Sequence, residues 1–161
     1  MTSGNELRAT IEQALPSLRS MDPAAAARRP REGAWSPKEE LGHLVDSASN
    51  NHQRFVRALF VDDLVFPGYD QDEWVAAQGY AEAPLDELVE LWGTFNRQIA
   101  RVMDRTPADR ADLPRVRHNL HQIAWEPVPA GAPATLRYFM RDYVGHLGYH
   151  LERILAAGRQ G

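Results

Sequence analysis

Hydrophobic residues recur through most of this chain at intervals of three and four, which is the spacing of an amphipathic helix. In the first segment, leucine and isoleucine residues at this spacing predict a helix over residues 5–20. Pro16 lies within that segment and is expected to kink or split the helix. Residues 22–33 combine Pro, Gly and Arg without an apolar stripe, so we interpret them as a connector.

The second predicted helix has a clear start. Ser36 can accept a hydrogen bond from the backbone N–H of Glu39, whose side chain can reach back to complete a capping box, and Pro37 suits the first helical position. An apolar stripe then continues to about Phe60. We therefore expect a long helix that begins at this cap and packs one face against the core.

A loop separates the second helix from the third. Residues 65–83 are rich in turn formers and aromatic residues, and they are long enough for a functional loop with a short helix at residues 72–78. Pro84 then begins an uninterrupted apolar seam. This seam predicts a third helix that ends near Asp104.

The last predicted helix follows a second long connection. Residues 106–135 carry repeated prolines and cannot sustain a long regular helix. A fourth helix is predicted over residues 135–157, with Gly158 as its C-cap. Four helices and two long connections predict an all-α fold, a four-helix bundle.

Composition fits a single domain that spans residues 1–161. The chain has no cysteine, which excludes disulfides, Cys-ligated metals and a thiol nucleophile of its own. Its net charge of -4 lacks the excess of positive charge that is typical of nucleic-acid-binding proteins. No apolar run approaches the roughly 20 residues that span a bilayer, and the N-terminus lacks the pattern of a secretory signal. We expect a cytoplasmic protein whose partner is a small-molecule substrate, with no nucleic acid and no membrane involved.

Two histidines of the fourth helix have the spacing of a shared metal site. His146 and His150 are four residues apart, which places their rings about 6 Å apart on one helix face. Structural or solvated histidines also show this spacing, so the pair alone is weak evidence. A zincin-type protease is excluded because Leu147, and not glutamate, follows the first histidine. A third ligand has to come from another element.

The leading candidate for that third ligand is His43, about two turns into the second helix. It reaches the pair if the second and fourth helices run antiparallel. A helical wheel, however, places His43 on the polar side of its helix, which is typical of an exposed surface histidine. The other histidines favour different roles. His52 lies on the apolar stripe and fits a core or cleft position, while His118 and His121 lie in the second long connection.

Two segments resemble the signatures of the DinB/YfiT-like superfamily. They are Gly33–Asp46, with the sequence GAWSPKEELGHLVD, and Tyr143–Ile154, with the sequence YVGHLGYHLERI. The resemblance implies a four-helix bundle with DinB/YfiT-like topology, in an unusual up, down, down, up order and often assembled as a homodimer. It also implies one divalent metal ion, zinc or nickel, held by His43, His146 and His150.

Three functions remain open at this point. The resemblance implies a metal-dependent thiol S-transferase or isomerase that uses a low-molecular-weight thiol as cosubstrate. The aromatic composition of residues 65–83 suggests in addition that Tyr69, Trp74 and Tyr80 shape the substrate pocket. The second function is a metal-dependent hydrolase with a metal-bound hydroxide, because three imidazoles leave coordination positions free. The third is a non-catalytic, metal-binding stress-response bundle. No catalytic residue is predicted, and Asp46, at a position often acidic in the family, is not expected to be a ligand.

Overall fold

The regular secondary structure of the described residues is helical. A computed structural model describes residues 2–159, and within that range it contains eight helices and no β-strand. Residues 1, 160 and 161, which the one-domain prediction also includes, lie outside the described residues. The predicted all-α class is confirmed. In chain order the helices are α1 Ser3–Arg19, α2 Pro23–Ala27, α3 Pro37–Ala58, α4 Gln71–Gln78, α5 Leu85–Arg105, α6 Ala108–Ala111, α7 Leu120–Ile123 and α8 Leu136–Gly158.

The long helices α1, α3, α5 and α8 correspond to the four predicted helices, with differences at their ends. Pro16 does not split α1, which continues to Arg19 because a proline removes only one backbone donor. Of the kink or split predicted at that proline, the split is therefore wrong. Gly158 is the last residue of α8 and Arg159 is its C-cap, so the predicted glycine cap is displaced by one residue.

The first connector contains a helix that the sequence interpretation omits. Asp22 caps α2 by accepting a hydrogen bond from the backbone N–H of Ala25 at 2.9 Å, and Pro23 occupies the first helical turn. These are ordinary start signals for a helix. The reading of residues 22–33 as an irregular connector is therefore wrong for its first half.

The start of α3 fixes the register of the residues that follow it. Ser36 accepts from the backbone N–H of Glu39 at 3.2 Å, and the Glu39 carboxylate accepts from the Ser36 N–H at 2.8 Å. Arg29 in the connector donates to the same carboxylate at 2.6 Å. The predicted capping box is therefore formed, and an ion pair joins the connector to the helix it precedes.

The four long helices pack as a bundle, in which α1 and α3 each contact both α5 and α8. The end of α1 lies beside the start of α5, where Arg19 donates to Glu90 at 2.8 Å, so these helices are antiparallel. Met21, just after α1, packs against Gly158 at the end of α8, which places both ends on the same side. Helices α1 and α8 therefore run in the same direction.

Helices α3 and α8 run antiparallel. Glu40 at the start of α3 bonds to His150 late in α8, while Phe55 near the end of α3 packs edge-to-face on Phe139 early in α8, with ring centroids 5.5 Å apart. The order of directions along the chain is up, down, down, up. The predicted topology is confirmed. The first long connection has to run along the length of the bundle, because α3 and α5, which it joins, are parallel.

The core lies between the four long helices, and the two long connections are ordered over it. Leu64 in the first connection donates to the carbonyl of Arg117 in the second at 3.0 Å and accepts from the N–H of Asn119 at 3.1 Å. Within the part of the chain that is described, none of the helices combines the length and the apolar character needed to pass through a membrane. The largest fully buried side chains include Leu7, Ile11, Leu15, Leu41, Leu44, Phe55, Trp92, Ile99 and Phe139.

Candidate metal centre

Helices α3 and α8 bring the three predicted ligands into one cluster. The Nε2 atoms of His43 and His146 are 3.4 Å apart. The ring centroid of His150 lies 4.8 Å from that of His43 and 4.5 Å from that of His146. One candidate ligand atom from each ring lies within 4.8 Å of the other two. The antiparallel packing of the two helices thus supplies a group of the size that one metal ion needs.

The nitrogen spacing within this cluster suits a tetrahedral ion. Two nitrogens bound at about 2.0–2.1 Å to a tetrahedral zinc are about 3.3–3.4 Å apart. The two Nε2 atoms of His43 and His146 have this separation. In addition, His43 Nδ1 is buried without a hydrogen-bond partner among the described residues. That atom is not the one with the metal-binding spacing, so the fit depends on the nitrogens that face one another. Imidazole nitrogens at this spacing are a donor set that suits a divalent cation such as zinc or nickel.

His43 is not the surface histidine that the helical wheel suggests. Its side chain has 0% exposure, and its ring centroid lies 5.0 Å from that of Trp35. The polar side of α3 is buried because it faces the interior of the molecule and not the solvent. We call the buried polar residues at three- and four-residue spacing the polar stripe of α3: Glu40, His43, Ser47, Asn51 and Arg54.

Burial keeps two of the three rings neutral. The pKa of His43 is lowered from 6.5 to about 3, mainly by burial and then by the neighbouring His150. The pKa of His146 is lowered to about 3 by burial, with smaller contributions from the other two rings. A metal binds the neutral form of imidazole. At neutral pH these two rings are therefore already in the form that a metal requires.

A buried carboxylate orients the third ring. Glu40 Oε1 lies 2.8 Å from His150 Nδ1 and 2.8 Å from Arg153 Nε. When His150 donates its Nδ1–H to this carboxylate, Nε2 becomes the free nitrogen of the ring. Carboxylates commonly hold metal-ligating histidines in this way. The sequence interpretation missed Glu40, although its position three residues before His43 on the same helix face is a signal that could have identified it.

The cluster forms part of the wall of a cavity of about 340 Å³. His146 and His150 line it together with the polar stripe residues Ser47, Asn51 and Arg54. Its volume lies in the range of sites for small molecules. The remaining lining residues are Gly68, Tyr69, Gln71, Gln122, Ile123, Ala124, Trp125, Phe139, Asp142 and Tyr143.

The predicted aromatic wall is only partly correct. Tyr69 lines the cavity, and burial raises its pKa to about 12. Trp74 instead packs against the Tyr69 ring from outside the lining, with centroids 4.7 Å apart. Tyr80 is buried elsewhere, where its hydroxyl donates to Asp46 at 2.6 Å. The prediction is therefore wrong for Trp74, which lies on α4, and for Tyr80, which follows that helix, because neither lines the cavity. Asp46 also accepts from Gln78 at 2.6 Å and does not belong to the histidine cluster.

The remaining histidines lie outside the cluster. His52 is half-buried and packs against Phe95, with ring centroids 5.5 Å apart, as expected for a cleft position. His118 is held in the second connection by a 2.7 Å hydrogen bond between its Nε2 and the carbonyl of Ala132. His121 is exposed in α7.

A three-histidine cluster between antiparallel helices of an up, down, down, up four-helix bundle places this protein in a class of metal-binding helix bundles. The chain belongs to the DinB superfamily, whose family model matches residues 6–154. The matched range includes all three clustered histidines. The resemblance drawn from the two sequence segments is therefore confirmed.

Two similar proteins agree with this assignment. A protein of Oceanobacillus iheyensis, whose name proposes a metal-dependent hydrolase, is 25% identical over 131 residues, which are 81% of this chain and 73% of that protein. The solved structure of YfiT from Bacillus subtilis is similar with a TM-score of 0.75 and 17% identity, over 98% of this chain and 86% of that one. YfiT is described as a probable metal-dependent hydrolase with an unusual four-helix bundle topology. At this identity the likeness to YfiT establishes the fold alone.

Proposed function

We propose that this protein is a metal-dependent enzyme in which His43, His146 and His150 hold one divalent ion, zinc or nickel, and a low-molecular-weight thiol is the nucleophile. The observation that carries the proposal is a three-imidazole cluster, two of whose rings, His146 and His150, line a cavity of small-molecule size. A divalent ion at this position would act as a Lewis acid and lower the pKa of a thiol or a water molecule. Because the chain contains no cysteine, the thiol is a cosubstrate.

The residues around the cluster support an open and not a closed site. Burial keeps His43 and His146 neutral, and Glu40 holds His150 by its Nδ1 atom. The side of the cluster that faces the cavity carries no fourth metal-ligating side chain among the described residues. Structural zinc sites usually have four protein ligands, whereas catalytic sites keep a position for substrate.

The nearby carboxylates favour a thiol over water as the nucleophile. Hydrolysis is accelerated by a free carboxylate that acts as a general base and removes a proton from water. Glu40 is occupied by His150 and Arg153. The Asp142 carboxylate accepts the backbone N–H groups of Trp125 and Glu126 at 3.0 and 2.7 Å. A thiol, with an ordinary pKa near 8.5, loses its proton more readily than water and depends less on such a base.

A metal-dependent hydrolase is the second candidate. It is favoured by the descriptions of the Oceanobacillus protein and of YfiT, which both refer to that activity. It uses the same three histidines and the same cavity, and it differs in needing no thiol. Activity on esters or amides in the absence of thiol is therefore the observation that separates the two candidates.

The first experiment tests the ligands. Purified protein loaded with zinc is analysed for metal content beside His146→Ala, with His52→Ala as the matched control, since His52 lies on α3 outside the cluster. The wild type and His52→Ala are expected to retain one equivalent, and His146→Ala to lose most of it. A full equivalent of zinc in His146→Ala contradicts the ligand assignment.

The second experiment tests the nucleophile. Cobalt(II)-loaded protein is titrated with small thiols, and a thiolate-to-cobalt absorption band is expected to appear and saturate. Ester hydrolysis without any thiol, together with no thiolate band, would favour the hydrolase. A site that takes up neither thiol nor azide would support a structural ion and contradict both enzyme proposals.

The homodimer stays a prediction. Size-exclusion chromatography with light scattering measures the molar mass that tests it.

A further inference from the structure

Arg54 is a buried cation in the wall of the cavity. Its side chain is 6% exposed, and it lies in the polar stripe of α3 about three turns after His43. Helical side chains lean toward the N-terminal end of their helix, which for this residue is the direction of the histidine cluster. An arginine that is almost fully buried normally has an anionic partner.

The partners that the chain supplies to Arg54 are neutral. Its NH2 group donates to the carbonyl of Pro67 at 2.8 Å, and its NH1 group to the amide oxygen of Asn51 at 3.4 Å. The ion pairs found among the described residues do not include Arg54. Its guanidinium also lies 6.0 Å from the centroid of the Tyr69 ring. No carboxylate of the described residues therefore forms an ion pair with this guanidinium, although Asp142 also lines the cavity.

The burial of this charge is unfavourable, and the pKa of Arg54 reflects this. Burial lowers the pKa of Arg54, and the main opposing influence is Tyr69, which is itself a neutral phenol at physiological pH. Arginine nevertheless stays protonated in proteins. A guanidinium presents five N–H donors in a planar fork that matches a carboxylate, and the two hydrogen bonds to Pro67 and Asn51 leave donors for a ligand.

We infer that Arg54 binds a carboxylate of the substrate or cosubstrate and thereby selects singly charged carboxylic acids for this cavity. A single negative charge matches the single cation. The cavity wall also holds Asp142, so a doubly charged group such as phosphate would bring excess negative charge into a partly enclosed space. The inference rests on the proposed function only for the position of the reacting end of the ligand, which would lie toward the histidines.

The test measures binding and not activity. Isotope-labelled protein, both metal-free and zinc-loaded, is titrated with benzoate, benzamide and inorganic phosphate while amide signals of the cavity-lining residues are followed by NMR. Benzoate and benzamide share their shape and differ by one charge. We expect the metal-free wild type to bind benzoate at least about tenfold more tightly than benzamide, the effect of one charge-assisted bidentate contact.

Three variants connect the effect to Arg54. Arg54→Gln keeps a donor for the Pro67 carbonyl but removes the charge, and it is expected to bind benzoate and benzamide equally. Arg54→Lys keeps the charge and is expected to retain part of the preference. Arg57→Gln is the matched control, because Arg57 lies one turn further along α3, is exposed and does not line this cavity. It is expected to behave like the wild type.

Each outcome decides the inference. An unchanged benzoate preference in Arg54→Gln, or no preference in the wild type, overturns it. Tighter binding of phosphate than of benzoate overturns the assignment to a carboxylate. If Arg54→Gln unfolds, Arg54→Lys and the charge preference of the wild type still decide. A purely structural role of Arg54 would weaken both ligands alike. The metal-free titration is independent of zinc, so loss of the metal site would contradict the proposed function without affecting this result.

Discussion

Replacing Gly42 by alanine tests how closely the segment Gly33–Asp46, which we call the first motif segment, is packed. Gly42 precedes His43, and a Cβ built on it would lie 2.3 Å from the Cγ and Cδ2 atoms of Tyr80. Ordinary van der Waals contact begins at 3.4 Å, so the ring would have to move by about 1 Å. The Tyr80 hydroxyl donates to the buried carboxylate of Asp46 at 2.6 Å, and this movement pulls the donor away from its acceptor.

The expected loss of stability follows from three contributions. Forcing an extra methyl group into a packed site costs about 1–3 kcal/mol. Losing a hydrogen bond to a charged group costs about 1.5–3 kcal/mol. Against these, alanine in a helix interior is favoured over glycine by about 0.5–1 kcal/mol. We therefore expect Gly42→Ala to lower the free energy of unfolding by about 1.5–5.5 kcal/mol, a large part of the stability of an ordinary domain.

Gly148→Ala is the matched control. Gly148 also lies in a long helix, between two of the clustered histidines, but a Cβ there meets no atom within 4 Å. It should raise the free energy of unfolding by about 0.5–1 kcal/mol through helix propensity alone. Urea unfolding of the metal-free protein followed by circular dichroism measures both, with the midpoint expected to move and the slope to stay constant. Gly42→Ala as stable as Gly148→Ala would refute the packing argument.

Two further predictions concern the histidine cluster. Glu40→Gln removes the charge that accepts the Nδ1–H of His150, so zinc affinity in a chelator competition should fall about 10–100-fold. The exposed Glu152→Gln should leave it unchanged, and equal affinities in both variants would contradict a role for this carboxylate. The metal-free protein should also lose stability below pH 6.5. Burial lowers the pKa values of His43 and His146 to about 3 in the folded state. Between pH 6.5 and 3 the unfolded chain therefore binds protons at these two rings that the folded protein does not. The free energy of unfolding should therefore fall between pH 6.5 and 3 by up to about 1.4 kcal/mol per pH unit for each ring. Replacing both by glutamine should flatten this profile in urea titrations, and an unchanged slope would show that the rings are not protected from protons.

Local signals explain why the long helices could be predicted from the sequence. The capping box at Ser36 and the apolar seam of α5 depend on residues close in the chain, and both are formed in the structure. The start signals at Asp22 and Pro23 precede a short alanine run without an apolar stripe, so the sequence pattern does not predict α2. The pairing of the two long connections through Leu64 depends on distant residues, and no local pattern encodes it.

The candidate site is harder to predict from the sequence than the helices are, because the polarity of its residues does not reveal which side of a helix faces solvent. The helical wheel predicts an exposed His43, whereas the resemblance to a family implies that it is a ligand. The sequence does not single out Arg54, since a long charged side chain in a polar stripe is usually solvated. Its burial comes from the two long connections that cover this side of α3, and these carry the residues whose placement depends most on tertiary structure.

The first motif segment has a physical meaning beyond a single ligand. The cap at Ser36 fixes the first turn of α3, so that Glu40 and His43 follow on one face, one turn apart. From that face Glu40 holds the Nδ1 of His150 while the ring of His43 meets His146. Helix α3 thus contributes one ring and the carboxylate that orients a ring of α8, and α8 contributes two rings. A register shift of one residue in α3 would turn both side chains away from α8 by about 100° and remove the cluster, because neither helix carries all the parts of this site.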